Sequence, residues 1–279
     1  MTIQEALAWG RAALAASPSP GLDARLLLAH ILGVDHAYLV GHSQGTLPAA
    51  QQAAYAALVS RAQRHEPIPY LVGHAPFYGL DFLVSPAVLI PRPETEQLVE
   101  QALAWANTHR PGRIVDVGTG SGCIAITLAR HLPQAQVIAI DLSSDALAIA
   151  QQNGARHAPG RVQFRHGSLL APLHTPANLI IANLPYVTDA EWTLLDDGVK
   201  WYEPANALRG GPDGLTLVRQ LLHQASAKLH PGGAIFLEIG WQQGLAAQQL
   251  AAASFPAGHI QCQPDFAGHD RFIIIQTDA

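Results

Sequence analysis

Two kinds of hydrophobic pattern divide the chain. Between residues 2 and 66, alanines and leucines recur at helical spacing, with no alternation typical of strands. Thr2 and Glu5 have the spacing of a capping box, so the first helix is predicted to begin there. The prolines and glycine of segment 17–21 end that helix, and Asp23 marks the start of the second. Two more helices complete a predicted all-α bundle, a short one over 35–41 and a long one over 48–64.

The segment that follows the bundle has a different texture. Residues 77–84 alternate in polarity around Gly79, as the residues of a β-hairpin do. After this segment, short apolar runs alternate with amphipathic helical stretches. The pattern predicts three parts, namely a helical domain over 1–75, a hairpin connector over 76–93 and an α/β domain over 94–279.

The apolar runs of the third part are predicted to be strands. Several of them, such as LIIAN, are apolar on both faces, which is typical of strands in a parallel sheet covered by helices on each side. Strands that alternate with helices predict a doubly wound, mostly parallel α/β fold. The predicted strands are RIVDVG, QVIAIDL, VQFRHGS, NLIIANLPY, AIFLEIG and FIIIQ.

Composition narrows the classes of protein to which the chain can belong. Its 279 residues are 49% hydrophobic, which is enough for a packed core. A formal charge of −5 disfavours bulk binding of DNA or RNA. Cys123, Cys262 and the 14 histidines follow no metal-ligand spacing, so no metal is predicted. The start of the chain resembles no signal peptide and no run is long enough to span a bilayer, so we expect a cytoplasmic protein, by default a monomer.

The sharpest motif is the glycine-rich turn DVGTGSG at 116–122, between a predicted strand and a predicted helix. Alone, such a turn is also compatible with a purely structural role. Asp116 at its mouth would repel a pyrophosphate but attract the ammonium group of a methionine moiety. Asp141 ends the next strand, where a carboxylate can accept hydrogen bonds from both ribose hydroxyls. The combination favours S-adenosylmethionine over NAD as cofactor. The predicted cofactor contacts are Asp116, Gly118, Thr119, Gly120, Ser121, Gly122 and Asp141.

A second motif follows the fourth strand of the α/β part, Asn183-Leu184-Pro185-Tyr186. A carboxamide nitrogen or an exocyclic amine is a poor nucleophile because its lone pair is delocalised. Its methylation therefore requires that the NH₂ group be held in line, with its protons bonded to acceptors. The Asn183 side-chain oxygen and the Leu184 carbonyl are suited to be those acceptors, while Pro185 stiffens the turn and Tyr186 offers a flat face. These four residues are the predicted catalytic residues, although Asn-x-Pro is also ordinary turn chemistry.

Together these motifs resemble the release factor glutamine methyltransferase family of the PrmC/HemK type. The resemblance runs nearly end to end, and IPRPETE at 90–96 is its most specific part. It implies a class I S-adenosylmethionine-dependent methyltransferase with a seven-stranded sheet. It also implies that the substrate is the glutamine of the Gly-Gly-Gln motif in class I release factors. The other matching segments are DARLLLAHILG at 23–33, YEPANALRGGPDGL at 202–215, LEIGWQQG at 237–244 and DFAGHDRF at 265–272.

The resemblance also implies roles for particular residues. The turn 118–122 and Asp141 would hold the methionine and ribose parts of the cofactor, and Ser168 and Leu169 would border its adenine. Asn183 to Tyr186 would hold the target glutamine, and Asn183 would also contact the cofactor. The helical domain would contribute to docking the release factor. This chain has Leu184 where the family usually has proline, and Ser168 where it often has an acidic residue. A leucine carbonyl and a serine hydroxyl can still make the hydrogen bonds in question.

Two other functions are compatible with the same motifs. An adenine-amino methyltransferase acting on RNA or DNA would use the Asn-x-Pro-Tyr device equally well, but it needs a basic approach surface. A cofactor-binding scaffold without activity would explain Leu184 and Ser168 as traces of a lost site. The roles of Glu203 and Glu238 stay open between support of the site and surface ion pairs.

Overall fold

The computed structural model describes residues 1–278, which form two compact units. The first is a helical unit made of residues 1–74 and 196–202, and the second is an α/β unit made of residues 75–195 and 203 onward. Segment 196–202 thus belongs to the helical unit, whereas the sequence analysis places it in the α/β domain. Within residues 1–278, no helix combines the length and the apolar content that crossing a membrane requires.

The helical unit has the four predicted helices and two short additional ones. The capping box is confirmed, since the Thr2 N–H donates to Glu5 Oε2 at 2.8 Å and the Glu5 N–H donates to Thr2 Oγ1 at 3.1 Å. The second helix begins earlier than Asp23, at Pro20, because proline at the first helical position has a suitable φ and lacks only an N–H that would be unpaired anyway. The helices are α1 (Ile3–Ala13), α2 (Pro20–Leu32), α3 (His36–Gly41), α4 (Ala49–Ala62), α5 (Ile68–Val72) and α10 (Asp197–Tyr202).

The α/β unit is built on a seven-stranded sheet, which confirms the predicted fold class. Its strand order is β10 (His259–Pro264), β11 (Asp270–Gln276), β9 (Leu229–Glu238), β6 (Ala177–Asn183), β3 (Arg113–Val117), β4 (Gln136–Asp141) and β5 (Val162–His166). The strands β9, β6, β3, β4 and β5 pair in parallel, whereas β11 is antiparallel to both β9 and β10. Strand β10 was not predicted from the sequence, because its HIQCQP segment has no fully buried residue and so lacks an apolar run.

Helices cover both faces of this sheet, and each face has its own apolar core. The central strands are almost fully buried, as their apolar sequences predict. The helices of the α/β unit are α6 (Pro93–His109), α7 (Cys123–His131), α8 (Ser144–His157), α9 (Asp189–Trp192), α11 (Thr216–Ala225) and α12 (Gly244–Ser254).

Two small sheets complete the α/β unit. β1 (His74–Phe77) and β2 (Leu80–Leu83) pair as the predicted hairpin. Tyr78 and Gly79 form its turn with φ values of 49° and 72°, and two positive φ values are typical of tight hairpins. β7 (Val187–Thr188) and β8 (Arg209–Gly211) pair in parallel directly after the Asn-Leu-Pro-Tyr motif.

The topology decides where a ligand site is expected. β3 lies between β4 and β6, and all three are parallel, so their carboxyl ends lie at one edge of the sheet. The chain leaves β3 toward β4 and later returns to β6 on the other side, which opens a crevice at the end of β3. The two motifs singled out in the sequence follow β3 and β6.

Candidate active site

A cleft of about 1040 Å³, counting its space open to solvent, lies at the carboxyl ends of these strands. Most of the residues predicted from the sequence line it, although they come from four separate stretches of the chain. The lining residues among them are Gly118, Thr119, Gly120, Ser121, Asp141, Ser168, Leu169, Asn183, Leu184 and Pro185. Asp116, Gly122 and Tyr186 lie behind the cleft wall and are not among its lining residues.

The glycine-rich turn is shaped for close approach. Gly118, Gly120 and Gly122 have φ values of 74°, 54° and 84°, which L side chains rarely adopt. A Cβ atom at Gly122 would lie 2.8 Å from the Ile126 side chain and 3.2 Å from Ala150, so this glycine allows α7 and α8 to pack closely. Gly120 has no neighbouring atom within 4 Å of the place of a Cβ, so its backbone faces open space in which a ligand can lie.

Asp116 braces the turn from behind. Its side chain is fully buried, and its Oδ2 accepts hydrogen bonds from the Thr119 hydroxyl at 2.6 Å and from the Ala125 N–H at 3.1 Å. Its Oδ1 has no hydrogen-bond partner among the described residues. The structure therefore differs from the expectation of a direct contact with a ligand's ammonium group, because the turn itself covers the carboxylate. Burial raises the pKa of Asp116 to about 7.

We expect Asp116 to make the protein less stable as pH rises. Since its pKa is raised from 3.8 to about 7, the folded state keeps a proton that the unfolded state has lost in that range. The contribution of Asp116 to the free energy of unfolding is thus largest below its unfolded pKa of 3.8, and it is lost as pH rises to about 7. Asp116→Asn removes the buried charge and should recover up to about 4 kcal/mol at pH 8 but little at pH 4, as measured by urea unfolding. Asp145→Asn, an exposed carboxylate, is the control, and an equal gain at both pH values would contradict the assignment.

Asp141 ends β4 and is held rigidly at the cleft. Its Oδ2 accepts from the Gly120 N–H and its Oδ1 from the Ser143 N–H, both at 2.8 Å. These bonds fix the orientation of the carboxylate and leave each oxygen with a further lone pair. Such a carboxylate fits the two hydroxyls of a ribose.

The loop after β5 forms the next wall of the cleft. Gly167, Ser168 and Leu169 lie there together with Leu142, and the exposed Leu142 side chain offers an apolar surface to a flat ring. Leu169 has a φ of 49°, an uncommon conformation for a leucine. The glycine turn, the Asp141 carboxylate and these apolar walls fit the three parts of S-adenosylmethionine, namely its methionine, its ribose and its adenine.

Asn183 is connected by hydrogen bonds to two buried residues that the sequence analysis did not group with it. Its Nδ2 donates to Thr95 Oγ1 at 2.9 Å, and the Thr95 hydroxyl donates to Glu238 Oε2 at 2.7 Å. Glu238 lies next to Asn183 in the register of β9 and β6. Tyr186 also turns toward this carboxylate, with its hydroxyl 3.4 Å from Glu238 Oε1. Tyr186 is not among the residues that line the cleft, and its flat contact with a substrate amide stays a prediction.

Glu238 is 1% exposed, so the structure excludes a surface ion pair. Burial raises its pKa to about 7. Burial, together with the charge of Glu238, also raises the pKa of the Tyr186 hydroxyl. The Glu238 carboxylate is thus a buried support for Asn183, to which Thr95 connects it.

The turn 183–186 is supported by a glycine-rich loop from the 202–215 segment. A Cβ atom at Gly210 would lie 2.5 Å from the Pro185 carbonyl, and one at Gly214 would lie 2.1 Å from the Tyr186 carbonyl. Gln243 adds a hydrogen bond from its Nε2 to the Tyr186 carbonyl at 2.8 Å. Only glycine permits this contact between the two loops, which explains the RGGPDG sequence.

The IPRPETE segment supplies cleft residues that local pattern analysis did not assign. Pro91, Arg92 and Thr95 line the cleft. Glu203, which is 5% exposed, pairs with the Arg92 guanidinium and accepts from the Ile90 N–H at 3.2 Å. Glu203 therefore holds this segment at the edge of the cleft. The segment's resemblance to the family was the only signal in the sequence that pointed to it.

Comparisons with known proteins show the family to which this chain belongs. The family model of the PrmC N-terminal domain matches residues 5–73, and that of the methyltransferase small domain matches residues 95–197. The release factor glutamine methyltransferase of Enterococcus faecalis is 39% identical to this chain, with 98% of each chain covered. The enzyme of that name from Koribacter versatilis is 44% identical, with 81% of each chain covered. The chain belongs to the release factor glutamine methyltransferase family.

Membership of this family confirms the resemblance seen in the sequence, and the fold agrees with it. A ribosomal protein L11 methylase from Lactobacillus delbrueckii has the same fold, with a TM-score of 0.52 at 22% identity over 70% of this chain and 84% of its own. The fold is that of class I methyltransferases, which use S-adenosylmethionine.

Proposed function

We propose that this chain methylates the side-chain amide nitrogen of the glutamine in the Gly-Gly-Gln motif of class I peptide chain release factors. The observation that carries the proposal is the position of Asn183, which lies beside the glycine-rich turn with its NH₂ group already bonded to Thr95. The amide oxygen of Asn183 is thus the atom suited to accept a hydrogen bond from a substrate NH₂ group. The curated relatives carry the name of this activity.

Two acceptors are enough to hold a primary amide. The Asn183 side-chain oxygen and the Leu184 backbone carbonyl would each accept one N–H of the glutamine and aim its nitrogen along the line of attack. Leu184 keeps its place because its side chain, 3% exposed, packs against Gly118. A leucine at this position therefore preserves the carbonyl, and the inactive scaffold is disfavoured.

The proposed cofactor contacts are the predicted ones that line the cleft, with Asp116 bracing the turn instead of touching the ligand. When bound, S-adenosylmethionine supplies an electrophilic methyl group on a sulfonium centre. The Asn183 oxygen and the Leu184 carbonyl would hold the glutamine nitrogen toward that methyl group. Transfer would replace the methyl–sulfur bond by a methyl–nitrogen bond, with the electron pair left on sulfur. The nitrogen then loses one proton to water. The chain needs to position the two reactants and to exclude other nucleophiles, and no strong base is required.

A protein substrate suits the charge of this chain better than a nucleic acid does. The formal charge is −5, and a flipped adenine needs a basic approach surface. The strong bases of residues 1–85 are Arg11, Arg25, Arg61 and Arg64, against the acids Glu5, Asp23, Asp35, Glu66 and Asp81. We accordingly propose a cytoplasmic, monomeric enzyme whose helical unit, residues 1–74 with 196–202, docks the release factor.

Transfer of radiolabelled methyl groups tests this function. Purified enzyme is expected to label a class I release factor and to leave unlabelled a copy in which the Gly-Gly-Gln glutamine is alanine. Mass spectrometry should place a single methyl group on that glutamine. Label on total RNA or DNA, with none on the release factor, would instead establish the adenine-amino methyltransferase.

A further inference from the structure

The amide of Asn183 can face the cleft in two ways, and only one of them suits a substrate amide. If its oxygen faces the cleft, it accepts from the substrate NH₂ group. If its NH₂ group faces the cleft, two donors oppose each other and the contact is lost. The geometry around Asn183 contains a device that selects between these orientations.

We propose that Thr95 and Glu238 are positioning residues that hold the Asn183 side-chain oxygen toward the substrate. This inference rests on the proposed function and adds to it how the acceptor is oriented. The device is a chain of hydrogen bonds from Asn183 to Thr95 and from Thr95 to Glu238, at 2.9 and 2.7 Å.

Donor and acceptor roles along this chain follow from the carboxylate. An ionised Glu238 can only accept, so the Thr95 hydroxyl must donate its single proton to it. The Thr95 oxygen is then available only as an acceptor, and the group of Asn183 that faces it must be the NH₂ group. The oxygen of Asn183 is therefore directed away from Thr95.

Burial makes this selection strong. Thr95 is 3% exposed and Glu238 1%, so water does not compete for their hydrogen bonds. Both oxygens of Glu238 receive donors, from Thr95 and from the Tyr186 hydroxyl. Thr95 lies in the first turn of α6, and Glu238 and Asn183 end neighbouring strands, so rigid elements carry all three residues.

The protonation state of Glu238 sets the direction of the chain of bonds. The groups that face it are Glu94 and Thr95 of α6, the Cys123 thiol of α7, Tyr186 of the turn after β6 and Arg271 of β11. Glu94 favours the protonated form and Arg271 the ionised form, and the pKa of Glu238 is about 7. A protonated Glu238 can donate to Thr95, whose own proton then points toward Asn183 and favours the wrong amide orientation.

Thr95→Val tests the device, since valine keeps the shape of threonine but removes the hydroxyl. We expect kcat for release factor methylation to fall about tenfold, with KM for S-adenosylmethionine unchanged within about twofold. The separate variant Thr95→Ser, which keeps the hydroxyl, should have a kcat within about threefold of that of the original enzyme. The matched control is Thr127→Val, because Thr127 is also a buried helical threonine, whose hydroxyl has no hydrogen-bond partner among residues 1–278.

Two readouts separate orientation from a general loss of structure. The kcat of the original enzyme should rise as pH increases through about 7, and the Thr95→Val enzyme should lack this step. In NMR spectra of the enzyme without substrate, the Asn183 NH₂ protons should exchange with water faster after Thr95→Val than after Thr127→Val.

The outcomes distinguish the device from the function on which it rests. If the original enzyme methylates the release factor but Thr95→Val and Thr127→Val have equal kcat values, the positioning role is wrong. If the original enzyme transfers no methyl group, the proposed function fails. In that case the exchange rate of the Asn183 NH₂ protons still tests the hydrogen bond from Asn183 to Thr95. Equal rates in the Thr95→Val and Thr127→Val enzymes would show that the positioning role is wrong.

Discussion

Asn183→Ala is expected to lower kcat for release factor methylation by at least about 10³-fold. The substitution removes the side-chain oxygen that orients the substrate amide, and a misplaced nitrogen loses the advantage of proximity as well as one hydrogen bond. Binding of S-adenosylmethionine should weaken by no more than about threefold, because the glycine-rich turn and Asp141 remain in place. The effect should therefore appear in kcat.

Single-turnover methylation with saturating cofactor measures this effect directly. Isothermal titration with S-adenosylhomocysteine, in parallel, reports whether the cofactor site is intact. Asn107→Ala is the matched control, since Asn107 is an exposed asparagine of α6 outside the cleft lining. A kcat for Asn183→Ala within tenfold of the original value would show that another group orients the substrate.

Asp141→Asn is expected to raise the Kd for S-adenosylmethionine about 100-fold. The carboxylate accepts hydrogen bonds from the Gly120 and Ser143 N–H groups, and each of its oxygens keeps one lone pair for a ribose hydroxyl. An amide in its place turns one acceptor into a donor, which opposes one backbone N–H and one hydroxyl. Two or three weakened hydrogen bonds correspond to a change of this size.

Titration calorimetry with S-adenosylhomocysteine measures this change without any methyl transfer. Asp145→Asn, in the first turn of α8 and exposed, controls for the loss of a nearby charge. At a cofactor concentration far above the raised Kd, most of kcat should return. An affinity equal to that of the Asp145→Asn protein would mean that Asp141 does not hold the ribose.

The secondary structure was largely readable from local patterns, and its exceptions have physical causes. The central strands were predicted because burial on both faces requires uninterrupted apolar runs. The edge strand β10 was missed because it is only half buried and its sequence mixes polar and apolar residues. The additional helices α5 and α10 are short and have too few turns to show a period.

The candidate site was predictable to the extent that its residues follow strands of a parallel sheet. The glycine-rich turn follows β3, Asp141 ends β4 and Asn183 ends β6, and the topology brings these three carboxyl ends together. Asp116 was assigned a ligand contact because sequence spacing does not reveal which side of a turn a carboxylate occupies. In the structure it points inward, to Thr119 and Ala125.

By itself, the sequence determined the fold class, the glycine-rich turn and the identity of the groups at the strand ends, since each depends on residues close together in the chain. Only the tertiary structure decided which side chains support them. Thr95 lies 88 positions before Asn183 and 143 positions before Glu238 along the chain, and no periodic pattern links the three residues. Their contact arises because α6 places its first turn over the ends of two adjacent strands, and burial there converts separate polar residues into one hydrogen-bonded unit.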